Sequence, residues 1–241
     1  MTLAIGHRGV AQVRPENTMA SFEEALKTGV DMIETDIQRT SDGHLVILHD
    51  DRVDRTSNGH GPLRAKTLAE LKALDFGGWF DPRFARERIP TLAELLDLVR
   101  GKAQLNLELK TASPLDPGVE KQLIDELRAA RMLDDCIISC FDHYALRTVR
   151  AEEPKVQTGV LYTARTGLEV DMARWAEAQA LHPFFFFVTP DLVSAAHAQQ
   201  IRVNAWTVDS TDVAQMLMAV GVDGIISNSP DVLKLVKGAG R

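Results

Sequence analysis

Residues 104–110 read QLNLELK, a strict alternation that sets Leu105, Leu107 and Leu109 on one face of a strand and Asn106, Glu108 and Lys110 on the other. Strands covered by helices on both faces normally read as continuous apolar runs. Polar side chains pointing inward here need partners or a ligand, because burying an unpaired charge is expensive. Around this strand, short apolar runs alternate with stretches of helical spacing. Strands are expected at 2–6, 32–36, 104–110, 136–141, 158–162, 181–188, 203–208 and 224–227. Helices are expected at 19–29, 91–100, 118–131, 144–151, 169–180, 191–199, 211–220 and from 231 onward. The first helix carries apolar residues at Met19, Phe22, Ala25 and Leu26, with Asn17 or Thr18 as its N-cap and Gly29 as its stop. Thr91 and Glu94 have capping-box spacing. Eight strand-helix units in a chain of this length predict a TIM (β/α)8 barrel with its chemistry at the C-terminal face. A doubly wound sheet would have fewer strands, and the chain lacks a glycine-rich phosphate fingerprint.

The segment 51–90 breaks the alternation. It holds DRTSNGHG, a helical TLAELKALD and the aromatic, glycine-rich FGGWFDPRF, and reads as an insertion after the second strand that folds over one end of a single domain spanning 1–241. His60 is a loop residue within it. Phe184 to Phe187 are expected as core and outer-shell packing, and His143, His182 and His197 as structural or surface histidines.

Composition narrows the range of partners. A net charge of −7 and a pI near 5.5 argue against a broad nucleic-acid or anionic-membrane footprint, so an anionic substrate must be held by local charges. No basic region followed by a signal-length apolar stretch stands at the N-terminus, and no run reaches a membrane span. Cys136 and Cys140 lie on one expected strand, about 13 Å apart at strand rise, too far for a mutual disulfide. Reduced thiols in a cytoplasmic protein are the expectation.

The candidate chemistry concentrates in MIETDIQRTSDGHLVILHD, residues 32–50. Glu34 and Asp36 at spacing two share a strand face and form a carboxylate pair suited to a hard divalent cation. If Asp42-Gly43 is a two-residue hairpin turn, Asp36 lies opposite His49, whereas a longer loop breaks that pairing. Glu108 is the natural third carboxylate, with Lys110 closer to the strand end. His7-Arg8-Gly9 sits at the C-terminal end of the first strand, where barrels place functional groups. Glu16 and Asn17 read either as helix entry and capping or as part of the site. Asn204 and Trp206 should both face the barrel mouth, unless Trp206 only fills the core.

These pieces together resemble the bacterial glycerophosphodiester phosphodiesterases. The resemblance runs through HRG (7–9), PENT (15–18), ETD (34–36), LHD (48–50), RTSNGHG, IPTLAELL, LELK (107–110) and AWTVD (205–209), and so covers nearly the whole chain. It implies a TIM barrel with an insertion after the second strand and hydrolysis of glycerophosphodiesters to sn-glycerol 3-phosphate and an alcohol. It also implies a divalent cation, Mg²⁺ or Ca²⁺, on Glu34, Asp36 and Glu108. His7 and His49 would be the general acid and base; independently of the resemblance, a His49 placed opposite Asp36 would also reach the metal. Arg8 and Lys110 would hold the phosphate, and Trp206 would lie beside the substrate. A lysophospholipase D, or a related phospholipase, on the same site is the alternative, and its apolar docking surface would have to come from Phe76, Trp79, Phe80 and Phe84. A non-catalytic sensor barrel would be expected to have lost the histidines, and both are present. One departure stands out: Ser227-Asn228-Ser229-Pro230 occupies the place of the common Thr-Asp-x-Pro, removing a negative charge near the barrel mouth, at a position expected to touch neither the metal nor the histidines.

Overall fold

The computed structural model describes residues 1–110 and 116–239. The first half of the chain forms β1 (Leu3–His7), α1 (Met19–Thr28), β2 (Met32–Arg39), β3 (Leu45–Ile47), α2 (Leu68–Ala73), α3 (Leu92–Val99) and β4 (Gln104–Leu109). The second half continues with α4 (Val119–Ala130), β5 (Cys136–Cys140), α5 (His143–Glu152), β6 (Gln157–Tyr162), α6 (Glu169–Trp175), β7 (Ala180–Pro183), α7 (Pro190–Ala198), β8 (Arg202–Ala205), α8 (Thr211–Val220), β9 (Gly224–Ser227) and α9 (Pro230–Gly238). The sheet runs β1-β9-β8-β7-β6-β5-β4-β2 with every neighbour parallel, and pairing of β1 with β2 closes it. This is the expected eight-stranded TIM barrel, with β3 as one extra strand.

Local signals place the helices. Thr18 caps α1 by accepting from the Ser21 amide, and Gly29 ends it at φ 80°. Capping boxes at Thr67/Glu70 and Thr91/Glu94 start α2 and α3. The outward apolar positions of the strands, Leu105, Leu107 and Leu109 among them, pack under the helices in one continuous core. A second, smaller cluster of Val46, Leu48, Val53, Leu63, Leu71, Phe76 and Ile89 holds the insertion together. Phe76 is therefore consumed as core rather than offered as a docking surface.

The hairpin departs from the two-residue turn. β2 and β3 pair Ile37 with Ile47 and Arg39 with Leu45, and the Thr40 amide donates to the His44 carbonyl across a loop in which Gly43 takes φ 88°. Asp36 therefore faces Leu48, whose amide donates to the Asp36 carbonyl, and not His49. One added loop residue shifts the register by one, which in a pleated pair exchanges faces.

Other elements end early, β8 at Ala205 among them. Helix α6 stops at Trp175, and β7 stops at Pro183, after which Phe185–Phe187 form a 3-10 turn. Phe186 is 74% exposed, contrary to the expected packing role. Cys136 and Cys140 are free and buried on β5, and burial pushes both thiols up to about 12.

Inside the barrel, Ile5, Met32, Ile137, Ala180 and Ile226 form an apolar floor. Above it His182 is fully buried between Asn106 and Asn204 (3.5 and 3.0 Å). Asn204 thus lies within the barrel instead of at its mouth. A side chain at Gly159 would meet the His182 ring at 2.7 Å. We expect Gly159→Val to destabilise the protein by about 1 to 3 kcal/mol through overpacking, read as a lower melting temperature.

Candidate active site

Strand register assembles the carboxylates. In the parallel β2–β4 pair, Asp36 lies beside Glu108 and Glu34 beside Asn106, while His7 on β1 lies beside Glu34. Alternation turns all of these side chains into the barrel. Glu34, Asp36 and Glu108 are buried, and one oxygen from each lies within 4.8 Å of the others, a grouping that could hold a metal ion. Oδ1 of Asp36 is buried without a hydrogen-bond partner. Three oxygen donors of this kind, one unsatisfied, suit a hard divalent cation.

Their electrostatics agree. Burial, reinforced by Asp36 and Glu108, pushes the Glu34 carboxyl well above the ordinary carboxylate range. Burial and Asp36 push Glu108 up to about 7. For Asp36 burial opposes ionisation, but Arg8, Lys110, His49 and the Asn17 amide outweigh it and hold the group below its usual value. Lys110 sits 2.6 Å from Glu108 Oε1 and 3.6 Å from Asp36 Oδ1, and Arg8 Nε is 3.5 Å from Asp36 Oδ2. Two cations against three buried carboxylates leave the cluster short of positive charge.

The HRG stretch is shaped by α1. Gly9 has φ 88°, and a Cβ there would lie 2.2 Å from Ser21 Oγ, so only glycine fits. Ser21 in turn donates to the Arg8 carbonyl and accepts from the Val10 amide. The Arg8 amide donates to Glu34, and its guanidinium to Glu16 at 2.9 Å.

The PENT residues divide their work in a way that sequence reading left open. Thr18 is the helix cap, whereas Asn17 donates to Asp36 Oδ2 (2.7 Å) and accepts from Thr35 (2.8 Å). Glu16 bridges Arg8 to Arg55, which reaches over from the insertion and also grips Asp50. The positive φ of Asn17, 57°, is tolerated best by asparagine and glycine, and is the one local hint that Asn17 is not simply a cap.

His49 arrives by a different route from the one its sequence position suggested. Gln38 donates from Nε2 to the carbonyls of Leu48 (2.8 Å) and Asp50 (2.7 Å), pinning the chain just past β3. His49 Nδ1 then meets Asp50 Oδ1 at 2.7 Å, and Arg55 together with His49 holds the Asp50 carboxyl far below the usual range. His7 Nδ1 lies 2.7 Å from Asn228 Oδ1, and its Nε2 lies 3.8 Å from Glu34. Asn228 therefore does touch a histidine, against expectation; β9 ends at Ser227, which delivers the next residue to the tip of β1. Burial and the neighbouring Arg8 push His7 down to about 4.

One pocket is lined by His7, Arg8, Glu34, His49, Glu108, Lys110 and Trp206, with Asp36 directly beneath. All eight residues singled out from sequence converge here. Trp206 is held by its indole N–H on the His182 carbonyl (2.7 Å) and packs edge-on against Phe141 and Phe184. Neither Trp79 nor Phe80 nor Phe84 lines the pocket; its aromatic wall is Phe141 and Trp206.

Comparison with known proteins matches the glycerophosphoryl diester phosphodiesterase family over residues 7–232. The chain belongs to this family. A glycerophosphodiester phosphodiesterase of Caldanaerobacter subterraneus is 43% identical over 233 residues, covering 96% of each chain. Among solved structures, an Oleispira antarctica phosphodiesterase in complex with the product sn-glycerol-3-phosphate superposes with a TM-score of 0.92 at 30% identity, covering 97% of this chain and 96% of that one. A glycerophosphodiester phosphodiesterase of Agrobacterium tumefaciens gives 0.86 at 27%, covering 97% and 99%. Membership makes the chain a phosphoric diester hydrolase. Among the described residues no helix is long and apolar enough to cross a membrane.

The carboxylate cluster has a consequence for stability. Folded protein holds Glu108 near 7, above its ordinary 4.5, and so binds protons more tightly than the unfolded chain between those values. Glu108 therefore contributes stability to metal-stripped protein that falls as pH rises through that window, while His7 and His182, held near 4 and 3 against their ordinary 6.5, contribute in the opposite sense. Urea unfolding in EDTA across the window should show wild type losing stability relative to Glu108→Gln as pH rises.

Proposed function

We propose that the pocket hydrolyses glycerophosphodiesters, such as glycerophosphocholine or glycerophosphoethanolamine, to sn-glycerol 3-phosphate and an alcohol. Proton transfer falls to His7 and His49, and a divalent cation, Mg²⁺ or Ca²⁺, binds Glu34, Asp36 and Glu108. The observation that carries this reading is the buried three-carboxylate cluster flanked in one pocket by two imidazoles and two fixed cationic side chains. Support from outside the chain comes from the Oleispira relative, which holds sn-glycerol-3-phosphate.

Phosphodiester cleavage needs charge stabilisation at the phosphoryl oxygens and proton transfer at the attacking and leaving oxygens. When bound, the cation supplies the first as a Lewis acid at the phosphoryl group. Arg8, braced by Glu16, and Lys110, drawn in by Glu108, bind and orient the non-bridging oxygens. His7 and His49 each have Nδ1 tied, to Asn228 and Asp50, so that Nε2 is the nitrogen left to exchange a proton with the substrate. Trp206 and Phe141 shield one side of the reacting group from water and give the alcohol an aromatic surface.

A second reading, lysophospholipase D, has one observation in its favour. The rings of Phe141, Trp206, Phe184 and Phe186 follow one another at 5.7 to 5.8 Å from the pocket wall outward, ending in the exposed Phe186. Such a path suits an acyl chain.

With purified protein and glycerophosphocholine, glycerol 3-phosphate release should require Mg²⁺ or Ca²⁺ and stop in EDTA. His7→Gln and His49→Ala should each lower kcat by about 10² to 10⁴-fold. Full activity in excess chelator would remove the metal assignment. Faster turnover of lysophosphatidylcholine than of glycerophosphocholine would shift the substrate to the acylated lipid.

A further inference from the structure

Two polar residues at the barrel mouth stand behind His7: Asn228, which ties its Nδ1, and Asp209, which has no part in the chemistry above. Asp209 lies in the loop after β8, and Asn228 follows β9. The loop is pinned to β9 by the Val208 amide, which donates to the Ile226 carbonyl at 2.9 Å. Asp209 Oδ1 accepts from the Asn228 amide (2.8 Å) and from Ser227 Oγ (3.1 Å), and Asp209 Oδ2 accepts from Asn228 Nδ2 (2.8 Å). The other end of the Asn228 side chain, Oδ1, meets His7 Nδ1 at 2.7 Å.

Donor and acceptor chemistry makes this chain directional. A carboxylate can only accept, so Asn228 must present its NH₂ to Asp209 and its carbonyl oxygen to His7. That oxygen is also only an acceptor, so His7 Nδ1 must carry the proton. In the neutral ring Nε2 is then bare, and Nε2 is the nitrogen on the Glu34 side of the pocket.

We propose that Asp209 and Asn228 are positioning residues for His7, selecting its Nδ1–H tautomer so that the Nε2 lone pair faces the reacting phosphate. The inference rests on the reading of His7 as a proton-transfer group. Neither residue lines the pocket, which separates their role from substrate binding. His49 is held in a parallel way by Asp50, but there the acceptor is itself a carboxylate, clamped by Arg55. The two imidazoles are thus fixed by acceptors of different charge.

The sharpest variant is Asp209→Asn. An amide at 209 offers an NH₂ toward the Asn228 NH₂, and the conflict is relieved when Asn228 turns over and donates to His7. The ring then becomes the Nε2–H tautomer, with its wrong nitrogen protonated. The double swap, Asp209→Asn with Asn228→Asp, restores every bond: residue 209 donates its amide N–H, and a carboxylate at 228 accepts from His7.

Long-range ¹⁵N–¹H spectra of histidine-labelled protein report the tautomer directly, with His7 assigned from its absence in His7→Gln. Wild type should show Nδ1–H, Asp209→Asn should show Nε2–H with kcat on glycerophosphocholine reduced about 10²-fold or more and KM within a few-fold, and the swap should recover both readouts. An Nε2–H ring in wild type, an unchanged kcat in Asp209→Asn, or a swap that recovers neither readout overturns the proposal. Since the tautomer is read without turnover, full activity in His7→Gln would instead count against the role of His7 itself.

Discussion

Three carboxylates forced into one buried space are the constraint around which this molecule is arranged. Glu34, Asp36 and Glu108 come within 4.8 Å of each other because β2 and β4 pair in a register that sets Asp36 beside Glu108, and because strand alternation brings Glu34 to the same face. Burial away from water, reinforced by like charges at that separation, opposes ionisation, which is why Glu34 and Glu108 are driven upward. Arg8 and Lys110 answer part of that charge. Asn17 and the Arg8 amide answer part of the hydrogen-bonding need.

From this cluster the supporting contacts run outward in two directions. On one side Arg8, Glu16, Arg55, Asp50 and His49 form a continuous line of charged contacts that ties the insertion to the first barrel strand. The insertion is therefore more than a cover: its Arg55 is what Asp50 leans on, and Asp50 is what His49 leans on. On the other side His7, Asn228 and Asp209 tie the first strand to the last two loops. His7 is thus locked by a loop distant from it in sequence, whereas His49 is locked by its neighbour Asp50, behind which Arg55 is held by the distant Glu16. Barrel closure between β1, β2 and β9 is what brings those elements together.

The barrel beneath supplies rigidity with unusually polar material. His182, Asn106 and Asn204 fill the layer between the apolar floor and the carboxylates, and the His182 carbonyl holds the indole of Trp206. Glycine at 159 and 224 makes room for them. The pocket wall at Trp206 is consequently positioned from below, by core packing, and Phe141 and Phe184 extend it sideways.

The sequence by itself determined the barrel, through eight apolar runs alternating with helical spacing, and it determined the chemical inventory. Period-two alternation was enough to place Glu34 with Asp36 and Asn106 with Glu108, because strand geometry is local. The motif spacing pointed to the family before any contact was known. Tertiary structure alone decided the rest. A single extra loop residue moved the hairpin register, so the local argument for Asp36 opposite His49 failed, and His49 reached the pocket only because Gln38 pins the chain beyond β3. Glu16 and Asn17 were legible only as an open choice between cap and site, Asn228 only as a departure from the family pattern, and the roles of Arg55 and Asp209 not at all, since each owes its role to a partner elsewhere in the chain. Hydrogen-bond direction and charge balance are properties of pairs in space, and a linear pattern of polar and apolar positions holds no record of which distant pairs the closed barrel will bring together.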